Sequence, residues 1–190
     1  MNMKKIKHSG FTLLELMVLI SIIGVVTAIG VPSYRHMSVI NEIVDTVNSL
    51  QMSMKLARSE AVARGRDTIV CSSVNVGTSG AATCSGAAGN WAEGWIVGVD
   101  LNGDGNIVEA SGELLWTHEM EDDSQITITP SNTAFDHRVI YSYTGWIRAT
   151  AEAGFDICSG YGATAGFPRR EIRASIAGGS QLTKNLVTKC

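Results

Sequence analysis

The feature that most constrains this chain of 190 residues is an apolar run near its amino terminus, at residues 11–31. At about 1.5 Å per residue, a helix of this length spans roughly 30 Å, the hydrocarbon thickness of a bilayer. Three lysines precede the run. By the positive-inside rule, residues 1–10 are expected to stay in the cytoplasm and the chain after Pro32 to lie outside. The run therefore predicts a single membrane-spanning helix.

A cleavable secretory signal is the competing interpretation of this segment. Such a signal has a shorter apolar core followed by a site with small residues, which Ala28 and Gly30 imitate. Glu15, the only charged residue in the run, argues against both a plain signal and a plain anchor. A carboxylate at the centre of a bilayer costs about 2.5–3.5 kcal/mol, and less near the interface, so such residues are rare without a partner.

Cleavage between Gly10 and Phe11 would supply a partner for Glu15. The new amino terminus of Phe11 would carry a positive charge about one helical turn from Glu15, on the same chain or on a neighbour. The sequence Ser-Gly-Phe-Thr-Leu-Leu-Glu at residues 9–15 resembles the cleavage and methylation site of type IV prepilins and type II secretion pseudopilins. A basic leader before this site and an apolar stretch ending at Pro32 complete the resemblance.

The resemblance implies a processing pathway. Prepilin peptidase, a membrane aspartic peptidase, would remove residues 1–10, and Phe11 would be N-methylated. Glu15 would then pair with the terminal amine of an adjacent subunit during filament assembly. Removing the leader changes the formal net charge from −3 to −6. The implied location is the bacterial inner membrane, crossed once, with the carboxyl-terminal head in the periplasm and later in a pilus or pseudopilus.

The helix is predicted to continue over residues 32–65. Apolar residues recur at gaps of three and four along one face, namely at Ile40, Ile43, Val47, Leu50, Met54, Ala57 and Ala61. Pro32 removes one backbone hydrogen bond and is predicted to bend the helix, and Gly65 is predicted to end it. The stripe fits a coiled-coil seam or packing against a sheet of the same chain. Packing is favoured because the stripe shrinks to alanine at its end.

After Gly65 the pattern changes to short strands separated by turn residues. The predicted strands are residues 67–72, 95–99, 113–120, 125–129, 139–143, 155–158, 171–176 and 182–187. Residues 77–90 are rich in Gly, Ala and Ser and are predicted to be an exposed loop. A long helix on an antiparallel sheet is α+β architecture, and the resemblance makes this the pilin fold, with residues 66–190 as the head.

Three short motifs mark the head. They are Leu-Ala-Arg-Ser-Glu-Ala at residues 56–61, Trp-Ala-Glu-Gly-Trp-Ile-Val at 91–97 ahead of Asp100, and Gly-Glu-Leu-Leu at 112–115. In this order they resemble the GspH/FimT group of minor pilins and pseudopilins. The resemblance implies a structural subunit that primes or caps a filament. That filament is a type IV pilus used in motility or transformation, or a type II secretion pseudopilus. The implied partners are the other major and minor subunits.

The four cysteines are Cys71, Cys84, Cys158 and Cys190. In an exported protein an even cysteine count favours disulfides, and four cysteines allow three pairings. The preferred hypothesis joins Cys71 to Cys84 across the loose loop and Cys158 to Cys190 at the last strand. Each closed loop would contribute about 3 kcal/mol in the chain-entropy model. Unpaired buried thiols are the alternative.

DNA binding is a further hypothesis, because the end of the chain is basic. From residue 169 onward the chain has one acidic residue, Glu171, and five basic residues, namely Arg169, Arg170, Arg173, Lys184 and Lys189. Such a local excess could contact phosphates. Some FimT-type minor pilins bind DNA through a Gly-Arg-x-Arg element, but the corresponding stretch here, Gly-Ser-Gln-Leu-Thr-Lys at residues 179–184, lacks both arginines. The alternative is a solvated basic edge.

The sequence predicts no enzyme, no cofactor and no small-molecule substrate. The four histidines are scattered, and neither Gly-x-Ser-x-Gly nor His-Glu-x-x-His occurs. Residues 100–106 imitate a calcium loop, with Asp or Asn at every second position. However, Ser111 stands where that loop needs a bidentate glutamate, and strands rather than helices are predicted on both sides. A hairpin turn is the favoured interpretation.

Overall fold

The computed structural model describes residues 11–85, 90–121, 124–160 and 169–183. These residues contain one long helix, α1 (Leu13–Arg64), and eight strands. The strands are β1 (Thr68–Ser72), β2 (Gly94–Val99), β3 (Leu114–Glu119), β4 (Ile126–Pro130), β5 (Arg138–Tyr141), β6 (Ala153–Ser159), β7 (Arg170–Ala174) and β8 (Ser180–Thr183). The chain divides into two compact units, Met1–Ser38 and Val39–Cys190, so the head unit includes the second half of α1.

A side-chain cap at Thr12 fixes the start of α1. Thr12 Oγ1 accepts a hydrogen bond from the backbone N–H of Glu15 at 3.2 Å, and the Thr12 carbonyl oxygen accepts the N–H of Leu16 at 3.2 Å. Thr-x-x-Glu is the capping-box sequence, which satisfies N–H groups that have no partner inside the helix. Glu15 therefore occupies the third helical position, where a negative charge also suits the helix dipole.

The end of α1 is the predicted glycine stop. Gly65 has φ +64°, and the N–H of Arg66 donates to the carbonyl oxygen of Ala61 at 3.3 Å. This pairing is the Schellman motif, in which a left-handed glycine lets the chain turn back on the last helical carbonyls. Between its ends α1 continues through Pro32. The bend expected at Pro32 stays a prediction.

The strands of the head form two antiparallel sheets, in the orders β3-β2-β1-β5 and β4-β6-β7-β8. In the first sheet, Val70 of β1 lies opposite Val97 and Val139. In the second, Phe155 of β6 lies opposite Pro130 and Ile172. The α+β fold class is confirmed, but the expectation of a single sheet is wrong. Strand pairing joins residues far apart in sequence, and local alternation does not determine it.

The main core lies between α1 and the two sheets. The helix buries Ile43, Val47, Leu50, Met54, Ala57 and Ala61. The sheets contribute Val70, Trp95, Val97, Tyr141, Phe155, Ile157 and Ile172 to the same cluster. The buried indole N–H of Trp95 donates to Ser53 Oγ at 2.8 Å, so this polar group is satisfied inside the core. Packing within one chain is therefore confirmed as the role of the helix stripe.

A second, smaller core covers the outer face of the first sheet. It consists of Ile69, Cys71, Ala82, Ile96 and Ile107, which explains why β1 and β2 are buried on both faces. The prediction of an exposed loop at residues 77–90 holds for residues 77–81 and is wrong for Ala82. The N–H of Ala82 donates to Glu109 Oε2 at 3.1 Å, and this hydrogen bond helps to hold the loop against the sheet. Residues 86–89 lie outside the described residues.

Candidate assembly site

The first part of α1 exposes apolar side chains that a soluble helix would bury. Each of the following is more than half exposed: Phe11, Leu13, Leu14, Leu16, Met17, Val18, Leu19, Ile20, Ile22, Ile23, Val25, Val26, Ile29 and Val31. Among the described residues, α1 is the one helix long and apolar enough to cross a membrane. An apolar surface of this extent is typical of a segment that enters a membrane or an interface.

Glu15 lies within this apolar surface. Its side chain is exposed, and across the described part of the chain no cation lies within ion-pair distance of its carboxylate. Gly10, on the leader side of the expected cleavage point, lies outside the described residues, whereas Phe11 is described and exposed. Cleavage at this bond and pairing of Glu15 stay predictions. The cap from Thr12 was missed, although the Thr-x-x-Glu spacing signals it.

One of the two expected disulfides is present. Cys71 in β1 is bonded to Cys84, with the two Cα atoms 5.4 Å apart, so the bond ties the loop after β1 to the first sheet. Cys158 in β6 is also disulfide-bonded. Its expected partner, Cys190, lies outside the described residues, and that pairing stays a prediction.

The segment that imitates a calcium loop lies in the connection from β2 to β3, which joins two paired antiparallel strands but is longer than a hairpin turn. The Asp100 carboxylate accepts the backbone N–H groups of Gly103 at 2.7 Å and Gly105 at 2.9 Å. The buried carboxylate of Glu113 accepts those of Leu101 and Val108, both at 3.1 Å. These oxygens thus hold the backbone of their own loop. The role of Glu113 could not be predicted from the sequence, since nothing in the local pattern indicates that a glutamate directly before a strand accepts hydrogen bonds from a loop.

The basic end of the chain is partly neutralised by ion pairs. Arg169 Nη2 lies 2.6 Å from Asp156 Oδ2, and Arg173 Nε lies 2.7 Å from Glu171 Oε1. Arg170 lies in β7 opposite Ile157. Lys184 and Lys189 fall outside the described residues. The two ion pairs reduce the positive charge available to a phosphate backbone. DNA binding at this edge stays a prediction.

Two family descriptions match the chain. "Type II transport protein GspH" matches residues 46–178, and "Prokaryotic N-terminal methylation motif" matches residues 5–31. The chain belongs to the GspH family. The GspH match covers most of the head unit, and the methylation motif covers the expected cleavage point together with the apolar run. GspH-family membership places the chain among the minor pilins and pseudopilins.

Individual relatives match a shorter part of the chain. Two fimbrial proteins of Pseudomonas aeruginosa are each 32% identical to this chain over 62 residues, which is 33% of this chain and 40% of theirs. The chain thus matches less than half the length of these curated relatives.

Solved structures confirm the pilin fold of this GspH-family member. A crystal structure of the P. aeruginosa type IV minor pilin FimU resembles it with a TM-score of 0.53 at 22% identity, covering 75% of this chain and 89% of that one. A second crystal form of FimU gives a TM-score of 0.51 at 19% identity, covering 73% and 90%. At these identities the likeness shows the fold alone.

Proposed function

We propose that the chain is a minor pilin that primes or caps a type IV pilus-like filament. The observation that carries this proposal is the exposed apolar segment of α1, which bears a single carboxylate and leads into a GspH-family head. Prepilin peptidase removes residues 1–10, Phe11 is N-methylated, and residues 11–31 cross the bacterial inner membrane. The head at residues 66–190 then stands in the periplasm until the subunit enters the filament.

Glu15 provides the specificity of assembly in this proposal. An unpaired carboxylate in hydrocarbon costs about 2.5–3.5 kcal/mol at the bilayer centre. The terminal amine of an adjacent subunit offsets that cost only when the two helices meet in one register, because the ion pair needs close approach. The apolar side chains around Glu15 supply contact area between two helices. They do little to fix the axial alignment of those helices, since they can pack against one another in many ways.

The position of Glu15 in a capping box requires a careful choice of variant. Replacement by alanine removes the charge and also the side chain that a capping box uses at this position. Glutamine serves as well as glutamate in a capping box but is uncharged. Glu15→Gln therefore separates the ion pair from the start of the helix, and Glu15→Asp keeps the charge on a shorter side chain.

Glu15→Gln in the full-length chain is expected to lower its amount in sheared filaments about tenfold or more, since about 1.4 kcal/mol corresponds to a factor of ten. Membrane insertion and leader removal should continue. Immunoblots of membrane and filament fractions measure both. Ser21→Ala is the matched control in the same exposed segment and should enter filaments normally. Undiminished incorporation of Glu15→Gln would count against the assembly role.

A second candidate function is that of a minor pseudopilin in type II secretion. The description of the matching family, a type II transport protein, favours it. The apolar helix and the head serve either machine equally well. The genes beside the coding sequence distinguish the two candidates. Secretion-complex genes there favour the pseudopilin, and pilus-assembly genes favour the minor pilin.

A further inference from the structure

The turn between β5 and β6 presents two large aromatic side chains to solvent. Tyr143 is 59% exposed and Trp146 is 57% exposed, whereas Trp91, Trp95 and Tyr141 are fully buried in the head. Exposed aromatic clusters on a well-packed domain mark interaction surfaces, and Tyr and Trp are the residues most often found at binding hot spots. These two side chains therefore indicate a surface that binds another molecule.

The backbone of this turn is firmly held. The N–H of Gly145 donates to the Ser142 carbonyl oxygen at 2.8 Å, and the N–H of Ser142 donates to the Trp146 carbonyl oxygen at 2.8 Å. Gly145 has φ +81°, which residues with side chains rarely adopt. A turn fixed in this way presents its aromatic rings without a large loss of conformational entropy on binding.

The turn lies against the exposed flank of α1. A β-carbon built on Gly145 would stand 3.1 Å from Val62 Cγ2 and 3.4 Å from Arg58 Nε. Val62 is 56% exposed, and Lys55 and Arg58 are exposed on the same helical face, since they precede it by seven and four residues. We call the resulting surface the aromatic patch. It comprises Tyr143, Trp146, Val62, Arg58 and Lys55.

The aromatic patch carries positive charge without an ionic partner. Over the residues that the structure describes, no carboxylate lies within ion-pair distance of Lys55 or Arg58. Arg58 Nη2 donates to the Ala177 carbonyl oxygen at 3.1 Å, so its guanidinium is oriented but not neutralised. Arg148, in contrast, lies 2.8 Å from Asp67. An apolar surface with two free cations is complementary to an apolar surface that bears carboxylates.

We propose that the aromatic patch docks the head of a neighbouring pilin-family subunit, through an apolar surface of that subunit that carries carboxylates. This inference rests on the proposed function, because a filament supplies such a neighbour. Single-stranded DNA is the competing class of partner, since bases stack on aromatic rings and phosphates attract cations. A DNA groove, however, needs a track of cations, and Arg148, which follows Trp146 closely in sequence, is held by Asp67.

Photo-crosslinking in cells that make the filament tests the proposal. The photoreactive residue p-benzoylphenylalanine replaces Tyr143 in the full-length chain, and adducts are identified by mass spectrometry. The matched control places it at Val74, which is 54% exposed beyond the other end of β1. The position of Tyr143 should yield an adduct with another pilin-family subunit, at least about fivefold more than the position of Val74 does.

Charge variants test the complementarity. With the crosslinker at Tyr143, Arg58→Glu should lower the adduct about tenfold, whereas Arg58→Lys should retain most of it because the positive charge remains. Arg64→Glu is the control, since Arg64 lies about 120° around α1 from Arg58 and pairs with Glu60 at 2.6 Å. Equal loss in the Arg58→Glu and Arg64→Glu variants would overturn the role assigned to the charge of Arg58.

The remaining outcomes separate this inference from the proposed function. Filaments that contain the chain but give no subunit adduct at Tyr143 would overturn the docking surface and leave the pilin role standing. A nuclease-sensitive adduct in place of a subunit adduct would overturn it in favour of DNA. A subunit adduct in the membrane fraction of cells whose filaments lack the chain would support docking and contradict filament entry.

Discussion

At the scale of single residues, Thr12 and Glu15 have separate roles near the start of α1. Thr12 fixes where the helix begins, and Glu15 places one negative charge in an otherwise apolar surface. The sequence alone indicated a functional role for Glu15, because a carboxylate within a membrane-spanning run raises the free energy of insertion. The cap was equally readable from the sequence, as threonine and glutamate three positions apart.

His118 gives the head a predictable pH dependence. Its ring is stacked against Trp95 and Trp116, with centroids 4.1 Å and 5.7 Å away, and burial lowers its pKa below the usual 6.5. As the pH falls below about 6.5, the unfolded chain takes up a proton at this residue before the folded chain does. The free energy of unfolding should therefore decrease over this range.

His118→Gln should remove part of that decrease. Urea unfolding of the full-length chain in detergent, at pH 7.5 and pH 5.5, measures it. The pKa of His137 is also lowered, by burial and then by Arg138, partly opposed by Asp136, so its contribution has the same sign. The double variant should flatten the pH dependence further. If both variants keep the full dependence, burial of these histidines is not its cause.

At the scale of secondary-structure elements, local patterns predicted position and type well. The stripe from Ile43 to Ala61 marked the buried face of α1, and β1 and β2 were readable as short apolar runs between turn residues. Which strands pair with one another could not be predicted from the sequence. Thr68 lies opposite both Val99 and Tyr141, and no local signal links β1 to strands so distant in the chain.

Two local errors have identifiable causes. The sequence predicts Tyr143 at the end of a strand, but β5 ends at Tyr141 because Gly145 closes a turn back to Ser142. The sequence predicts Ala82 in an exposed loop, but Glu109 and the disulfide between Cys71 and Cys84 hold that loop on the sheet. The aromatic patch was missed for the first reason, since a strand would alternate its side chains between two faces.

The disulfide between Cys71 and Cys84 should stabilise the head through the unfolded state. Its cysteines are 13 residues apart, and closing a loop of that length contributes about 3 kcal/mol in the chain-entropy model. Replacing both with alanine should lower the free energy of unfolding, measured with urea, by about that amount. Thr78→Ala in the same loop is the control and should change little. A loss below about 1 kcal/mol in the double variant would argue against this account.

At the scale of the whole molecule, the two compact units have opposite surface chemistry. Among the described residues, the part of Met1–Ser38 from Phe11 onward exposes its large apolar side chains, whereas Val39–Cys190 buries most of its own between α1 and two sheets. This contrast fits a subunit that keeps one part in lipid or in a filament core and the other in water. The fold class, the family and the apolar segment were all predictable from the sequence, because each rests on composition or on a short motif.

The identity of the mature amino terminus tests the central claim most directly. Mass spectrometry of the chain purified from native membranes or filaments measures it. The account predicts a chain that begins at Phe11 and carries one added methyl group on its terminal nitrogen. A chain that begins at Met1 would contradict it, because Glu15 would then have no newly made amine to pair with. A chain cut near Ala28 and Gly30, as a secretory signal would be, would also contradict it, because the mature protein would lack Glu15.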